Sequence, residues 1–276
     1  MKNLLQKNKN LILSIFYNFF KLFVKKKSVF RIIMLHNVNK ENFSKIKKNL
    51  IYLKKNYNFI DPKQFKKDFN LKNKKNLLIT FDDGFKSNYY FAEKVLNKIG
   101  IKAVFFIITD FIKIDKNSKV KKNLFKNIDI DKKIYHRDKL DLMTLSDIKK
   151  LQKMGHVIGS HTKSHLMLSK IKSNKELKKE ISRPLVFFKK NKINNYGFFA
   201  FPFGVFSSFN YRSYKVAKKN YKFIFSGIRG DNPKFKNIFY RENIEEIYNL
   251  DSILFFISGY ADFLYSKYRK KLFLFK

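Results

Sequence analysis

Two carboxylates stand side by side at the end of an apolar run, where Asp82 and Asp83 follow Leu77–Phe81. About 80 residues further on, His161 and His165 follow a second short apolar segment. One carboxylate and two neutral imidazoles form a common ligand set for a divalent metal that keeps an open position for water. The other carboxylate is then available as a base. The residue types and their spacing therefore predict the outline of a metal-dependent hydrolase.

Short apolar runs alternate with amphipathic helical patterns from residue 31 onward. The strand-like runs are Arg31–His36, Leu77–Phe81, Ala103–Ile108, Val157–Ser160, Phe198–Phe201 and Phe223–Phe225. The helical patterns between them are Phe43–Asn56, Lys86–Ile99, Leu145–Met154, Asn174–Lys190 and Tyr211–Asn220. This alternation predicts a parallel sheet covered on both faces, as a barrel or an open doubly wound sheet. Both folds collect ligands at the carboxyl ends of their strands, where we expect His36, Asp82, Asp83 and His161.

The composition is strongly basic, with 61 Lys and Arg against 21 Asp and Glu and a formal net charge of +40. Such a charge favours anionic partners, including nucleic acid, acidic glycans and a membrane surface. The lysines are spread along the whole chain, which also fits a general bias toward Lys, Asn, Ile and Phe. The absence of cysteine excludes disulfides and thiolate metal sites, so any metal must be held by oxygen and nitrogen.

The amino-terminal segment Leu11–Val24 is apolar and is flanked by lysines on both sides. It is short for a transmembrane helix, and no small-residue cleavage site follows it. One helical face carries Leu11, Ile12, Ile15, Phe16, Phe19, Phe20 and Phe23, and the opposite face carries Ser14, Asn18, Lys21 and Lys25. This pattern predicts a helix lying on a membrane surface, a cap packed on the fold, or an uncleaved signal-anchor. We therefore expect the protein in the cytoplasm or on the cytoplasmic membrane.

The chain contains 4 Pro and 9 Gly and lacks a linker rich in either, so we expect one catalytic domain with helical additions. The predicted boundaries are 1–30 for the amino-terminal helix, 31–245 for the catalytic domain and 246–276 for a carboxy-terminal helical extension. Leu250–Phe275 has helical periodicity and is expected to pack on the core as a last helix. Ile112–Leu140 breaks the alternation and is expected to be a loop or lid beside the site.

Several motifs resemble those of the polysaccharide deacetylases, the NodB-homology or carbohydrate esterase family 4 domains. Thr80–Gly84 and Ser160–His165 are similar to the first two motifs of that family. Met34–Val38, Phe199–Gly204 and Phe239–Arg241 resemble the YHxV, FAYPYG and LPR segments of one branch. The resemblance implies a distorted (β/α) barrel with fewer than eight strands. It also implies removal of acetyl groups from N-acetylated sugars.

The resemblance implies a role for each matching residue. Asp83, His161 and His165 would hold the metal, usually zinc in this family, and Asp82 would be the general base. A bound metal lowers the pKa of its water from about 15.7 toward 7 and polarises the acetyl carbonyl. The backbone amide of Phe203, in a turn shaped by Pro202 and Gly204, would bind the oxyanion.

The chain departs from the family pattern at two places. No histidine follows His165, so the late general acid of many members is missing, and His36 is the expected substitute. The arginine of the third motif is also absent from Phe198–Phe201. Arg241 is expected either to brace the base in its place or to bind an acidic group of the substrate.

For other polar residues near the motifs, the sequence predicts only a general location or role. His156 is expected to be structural and His136 to face solvent, whereas Asp110 and Asp231 are carboxylates expected at the strand rim without an assigned role.

The sequence predicts a metal-dependent deacetylase of an N-acetylated sugar in a bacterial surface polysaccharide or its lipid-linked precursor. Two alternatives remain open. The same site would serve an O-acetyl ester or another amide, and a glycan- or membrane-binding protein could retain the fold without turnover. Nucleic-acid binding has only the net charge in its favour, and no motif supports it.

Overall fold

The computed structural model describes residues 2–23, 30–65, 75–113, 141–233, 237–272 and 275. Within these ranges the longer helices, α1 to α8, are Lys2–Phe23, Phe43–Asn56, Lys86–Phe91, Leu145–Lys153, Asn174–Lys190, Tyr211–Asn220, Leu250–Ile257 and Ser266–Leu272. A π-helical turn, Ala92–Leu96, extends α3. The strands, β1 to β8, are Phe30–Leu35, Asn58–Phe59, Asn76–Phe81, Ala103–Ile107, Val157–Ser160, Phe198–Ala200, Phe223–Phe225 and Glu242–Asn243.

The strands form a parallel sheet in the order β7-β6-β5-β4-β3-β1-β8, and β2 pairs with the beginning of β3. Each central strand is followed by a helix that covers the outside of the sheet, as the alternation in the sequence predicts. The expected distorted (β/α) barrel with fewer than eight main strands is confirmed. The two-residue strands β2 and β8 were not predicted, because two residues carry no periodic signal.

One short segment brings the two edges of the sheet together. Phe239 pairs with Phe225 on β7, and its amide donates to Ile224 O. Three residues later, Glu242 pairs with Ile33 on β1. Residues 239–243 therefore run from one edge of the sheet to the other and place Arg241 between them.

The pleat of β3 separates the barrel interior from the outer layer. Leu78 belongs to the interior cluster, which also holds Phe30, Ile32, Val104, Phe106, Val157, Phe198, Phe225 and Phe239. Leu77, Ile79 and Phe81 belong to the larger outer cluster, which packs under the helices. Because alternate residues of a strand share a face, Thr80 and Asp82 continue the inward side that begins at Leu78.

Helix α1 packs against α7 on the outside of the barrel. Leu13, Tyr17 and Phe20 lie against the outer core, and the Phe20 ring is 5.8 Å from that of Tyr260. Among the described residues, no helix has the length and apolar character needed to cross a membrane.

The carboxy-terminal segment differs from the expected single helix. It consists of α7 and α8, separated by the 3-10 helix Asp262–Tyr265. Gly259 has a φ of +81°, a conformation that ends α7 and that other residues rarely adopt. The residues nevertheless pack on the core, since Ile253–Ile257 and Tyr260 are buried.

The predicted insertion Ile112–Leu140 lies almost entirely outside the described residues, as does His136. Ile112 and Lys113 belong to the 3-10 helix Phe111–Lys113, which follows β4.

Candidate active site

Asp82 and Asp83 lie directly after β3, at the carboxyl end of the sheet. The amide of Asp82 donates to Leu35 O over 2.9 Å and so continues the pairing with β1. Asp83 has a φ of 71°, which is uncommon for a residue with a side chain. This left-handed turn brings both carboxylates to the rim, where each is 2% exposed. Such backbone strain is often stored at functional sites.

His161 and His165 occupy the loop after β5, on the same rim. The amide of His161 donates to Ile107 O on β4, and the amide of His165 donates to Thr162 Oγ1. Thr162 and His165 have φ values of 67° and 61°. The two rings, whose centroids are 4.9 Å apart, are therefore brought together by a tight loop and not by one helical face.

Asp83, His161 and His165 form a buried group that can hold a metal. Their candidate ligand atoms all lie within 4.8 Å of one another. Asp83 Oδ1 is 3.6 Å from His161 Nε2 and 3.5 Å from His165 Nε2. Ligands at 2.0–2.2 Å from a tetrahedral zinc stand roughly 3.3–3.6 Å apart, which matches these separations.

The polar partners of the group also fit a cation. Asp83 Oδ1 is buried and has no hydrogen-bond partner among the described residues. His161 Nδ1 lies 2.9 Å from Ala200 O, and this contact fixes the orientation of the ring. When Nδ1 carries the proton and donates it to Ala200 O, Nε2 is unprotonated and can bind a metal. Burial raises the pKa of Asp83 to about 7, and it lowers the pKa of His161 to about 3. A carboxylate without a compensating charge beside neutral imidazoles is the environment that a divalent cation would stabilise.

Asp82 is held by Arg241. The guanidinium donates from Nη1 to Oδ1 over 2.7 Å and from Nη2 to Oδ2 over 2.8 Å. Burial alone would raise the pKa of Asp82, but the charge of Arg241, with smaller contributions from other groups, lowers it to about 2. Asp82 is therefore ionised at neutral pH and is oriented by two charge-assisted hydrogen bonds.

This pairing distinguishes between the two roles expected for Arg241. Its side chain is fully buried, its Nε donates to Ser226 O, and its Nη1 also donates to Thr80 Oγ1. No part of the guanidinium is exposed for contact with a substrate. The geometry supports the bracing role and argues against substrate binding.

His36 follows β1 on the same rim and is exposed. A positive charge on its imidazole lowers the pKa of both Asp82 and Asp83, which end the neighbouring strand on this rim. Because His36 is exposed, it can contact a substrate as an acid. A structural histidine would be expected to be buried.

The turn Pro202–Gly204 follows β6 and reaches the same site. The ring of Phe203 lies 4.7 Å from that of His165, and Phe203 has a φ of 60°. Gly204 has no room for a side chain, because an added Cβ would stand 2.3 Å from Gly227 N. Among the described residues, the Phe203 amide has no backbone acceptor. The turn therefore brings Phe203 beside the candidate metal ligand His165.

Glu180 supports the histidine loop from α5 and was not predicted. Its carboxylate accepts from Ser164 N over 3.0 Å and from Ser164 Oγ over 2.8 Å, and its carbonyl accepts from Lys163 N. Glu180 is 4% exposed and shares the buried face of α5 with Leu177 and Ile181. An acidic residue on the apolar face of a lysine-rich helix is the sequence signal that would have identified it.

Three further residues do not join the group. Asp110 lies on the rim but pairs with Lys163. Asp231 accepts from the amide of Phe30, at the opposite end of β1, so its expected rim position was wrong. His156 is fully buried and accepts from Ala103 N, which agrees with a structural role.

The fold and site together define a class: a distorted (β/α) barrel with a buried Asp-His-His group at the carboxyl ends of its strands. The polysaccharide deacetylase family model matches residues 70–222, more than half of the chain, and the chain belongs to that family. Among curated proteins, a sequence search found no match.

Solved structures with the same fold include two deacetylases and a protein named IcaB. The Streptococcus pyogenes deacetylase PplD, in complex with acetate, has 18% identity and a TM-score of 0.64, covering 84% of this chain and 99% of that one. IcaB from Ammonifex degensii has 17% identity and a TM-score of 0.61, covering 79% and 93%. A de-N-acetylase from Aggregatibacter actinomycetemcomitans has 18% identity and a TM-score of 0.64, covering 82% and 99%.

Proposed function

We propose that this protein is a metal-dependent deacetylase that hydrolyses the acetamide of an N-acetylated sugar in a surface polysaccharide or its precursor. The observation that carries the proposal is the pair of differently held aspartates. Asp83 faces His161 and His165 without a hydrogen-bond partner for Oδ1 among the described residues, whereas Asp82 is ionised and braced by Arg241. Asp83 is therefore suited to bind a metal, and Asp82 is suited to accept a proton.

The proposed metal is zinc, held by Asp83, His161 and His165. A mixed nitrogen and oxygen donor set with an open position suits catalytic zinc, although other divalent metals bind similar ligands. When bound, the metal would supply an activated water and polarise the acetyl carbonyl.

The neighbouring residues supply the base, the donor to the oxyanion and the acid. Asp82 accepts a proton from the attacking water, because it is ionised and its orientation is set by Arg241. The Phe203 amide donates to the oxygen that gains negative charge. His36 protonates the sugar nitrogen as the C–N bond breaks, and acetate and a free amine are released.

The relatives support the choice of an acetamide. The Aggregatibacter structure is described as a de-N-acetylase, and the Streptococcus deacetylase was solved with acetate. No described contact favours the O-acetyl ester or the inactive binding protein, so both remain outcomes of the test.

The test is acetate release from N-acetylglucosamine oligomers and lipid-linked N-acetylated glycans by the purified protein. We expect release that a chelator abolishes and added zinc restores. Asp82→Asn should keep the metal and lose at least about 10²-fold in rate, since a general base commonly contributes 10²–10⁴-fold.

Other results would contradict the proposal. Release from O-acetylated sugars alone would identify an esterase. A protein that binds metal and glycan without releasing acetate from any substrate would be a binding protein.

A further inference from the structure

Helix α1 turns its apolar face away from the protein. Seven large apolar side chains between 47% and 79% exposed form one stripe along the helix: Leu11, Ile12, Ile15, Phe16, Phe19, Leu22 and Phe23. An amphipathic helix of a soluble domain normally buries this face. We call these seven residues the outer stripe. A contiguous apolar surface of this kind marks an interaction site.

The orientation of α1 is set by polar contacts on its other side. Asn10 donates to Ile247 O and accepts from the amide of Asn249, and Ser14 accepts from the Asn249 side chain. Lys9 pairs with Glu245. Rotating the helix to bury the outer stripe would break these contacts. The exposed stripe is therefore a consequence of how the helix is held. The side that packs carries Asn10, Leu13, Ser14, Tyr17 and Phe20, whereas Asn18 and Lys21 of the predicted polar face are exposed.

The charges of the helix favour a lipid surface over a second copy of this chain. Helix α1 contains four lysines and no acidic residue. Lys21 is exposed beside the stripe, and three more lysines follow at 25–27 in the sequence. Two copies of a chain with a net charge of +40 would repel each other at this face. Seven residues also fall short of the roughly 20–30 per side that a stable protein interface uses.

We propose that the outer stripe inserts into the interface of an anionic phospholipid bilayer, with α1 lying in the membrane plane. Phenylalanine and leucine side chains enter the region between headgroups and acyl chains, and Lys21 meets the anionic headgroups. The barrel lies on the aqueous side of α1, where an isolated interfacial helix would expose its polar face to water.

The docking would also orient the active site. Lys9 and Asn10 contact residues 245–247, and Glu246 binds the Asn39 amide in the loop that follows His36. The other end of α1 contacts Tyr260, which follows Gly259, and Gly259 lies beside Arg31 at the beginning of β1. Helix α1 therefore runs from the catalytic rim to the opposite end of the barrel. With α1 in the membrane plane, the rim opens along the bilayer surface.

The first experiment measures binding of the full chain to vesicles of equal parts phosphatidylglycerol and phosphatidylcholine by co-sedimentation. Ile15→Glu combined with Leu22→Glu should lower the affinity at least about tenfold, because two apolar side chains that would enter the bilayer are replaced by charges. Val186→Glu is the matched control, since Val186 is 57% exposed on α5, and its affinity should be unchanged. Circular dichroism checks that each variant is folded.

The second experiment uses the absence of tryptophan from the chain. Phe19→Trp places one fluorophore in the stripe, and its emission should shift to shorter wavelength when anionic vesicles are added. Val186→Trp should show no shift. Pure phosphatidylcholine should bind more weakly, and salt should reduce binding to the anionic vesicles.

Three outcomes would overturn the proposal. Equal affinity of the Ile15→Glu, Leu22→Glu variant and the unsubstituted protein would place binding elsewhere on the basic surface. A Phe19→Trp shift that grows with protein concentration without vesicles would show that a second copy covers the stripe. Equal binding to phosphatidylcholine would remove the anionic requirement.

Discussion

Arg241 and Asp82 form a bidentate ion pair inside the barrel, with N–O distances of 2.7 and 2.8 Å. Arg241 comes from the segment that joins the two edges of the sheet, and Asp82 comes from the end of β3. The pair therefore couples closure of the barrel to the orientation of the proposed base. The pairing gives Arg241 the contact that was expected of the missing third-motif arginine, namely bracing of the proposed base.

Removing Arg241 alone should destabilise the metal-free protein, because Asp82 would be left as an unpaired buried charge. We expect Arg241→Gln to lower the free energy of unfolding by about 3–5 kcal/mol. Adding Asp82→Asn should recover much of this loss, since the buried charge is then gone. Urea unfolding of the two single variants and the double variant measures the coupling, and simple additivity would contradict it.

Metal binding should depend on Asp83 and not on the neighbouring rim carboxylate. Asp83→Ala removes an oxygen that faces both histidines, so we expect loss of the metal found by elemental analysis of the purified protein. Asp110→Ala is the matched control, because Asp110 follows the adjacent strand but pairs with Lys163. An equal loss in both variants would argue against the assigned ligand set.

His36 should affect turnover without affecting the metal. We expect His36→Ala to slow acetate release by about 10²-fold or more, the usual range for a general acid, with unchanged metal content. His156→Asn is the control for a histidine outside the site and should retain the rate. An unchanged rate in His36→Ala would remove the acid role.

Glu180 should control the affinity for metal through the histidine loop. Glu180→Ala removes both acceptors of Ser164, which lies next to His165, so we expect the metal Kd to rise by about 10–100-fold. Glu180→Gln keeps an acceptor and should have a smaller effect. Lys178→Ala, exposed on the same helix, should bind metal normally. A normal Kd for Glu180→Ala would show that the loop does not need this support.

His156 should make the protein less stable in acid. Burial lowers its pKa from 6.5 to about 3, so between these values the unfolded chain binds more protons than the folded protein. The free energy of unfolding therefore falls as the pH is lowered from 6.5, by about 2 kcal/mol at pH 5 for this residue. His156→Asn keeps an acceptor for the Ala103 amide and should show a correspondingly smaller decline in urea unfolding between pH 8 and pH 5. Equal declines would exclude this contribution.

The sequence by itself determined the main strands, the helices between them and the buried Asp-His-His group that can hold a metal. Apolar runs of three to six residues between amphipathic helices specify buried parallel strands, and the observed strands agree with the predicted ones within a residue or two. Asp82, Asp83 and His161 follow such strands directly. Because parallel strands end at one rim, their meeting could be predicted without coordinates.

Only the tertiary structure decided how those residues are supported and which way α1 faces. Arg241 reaches Asp82 across 159 positions of the chain, and Glu180 reaches Ser164 from another helix. Periodicity places Glu180 on the apolar face of α5, but it does not identify Ser164 as the partner. It gives no signal for the Arg241 contact, since both contacts depend on how separate elements pack. The apolar face of α1 was visible in the sequence, but its outward direction depends on the contacts of Asn10 and Ser14 with the loop before α7. Periodicity locates a face along a helix, and packing determines what that face meets.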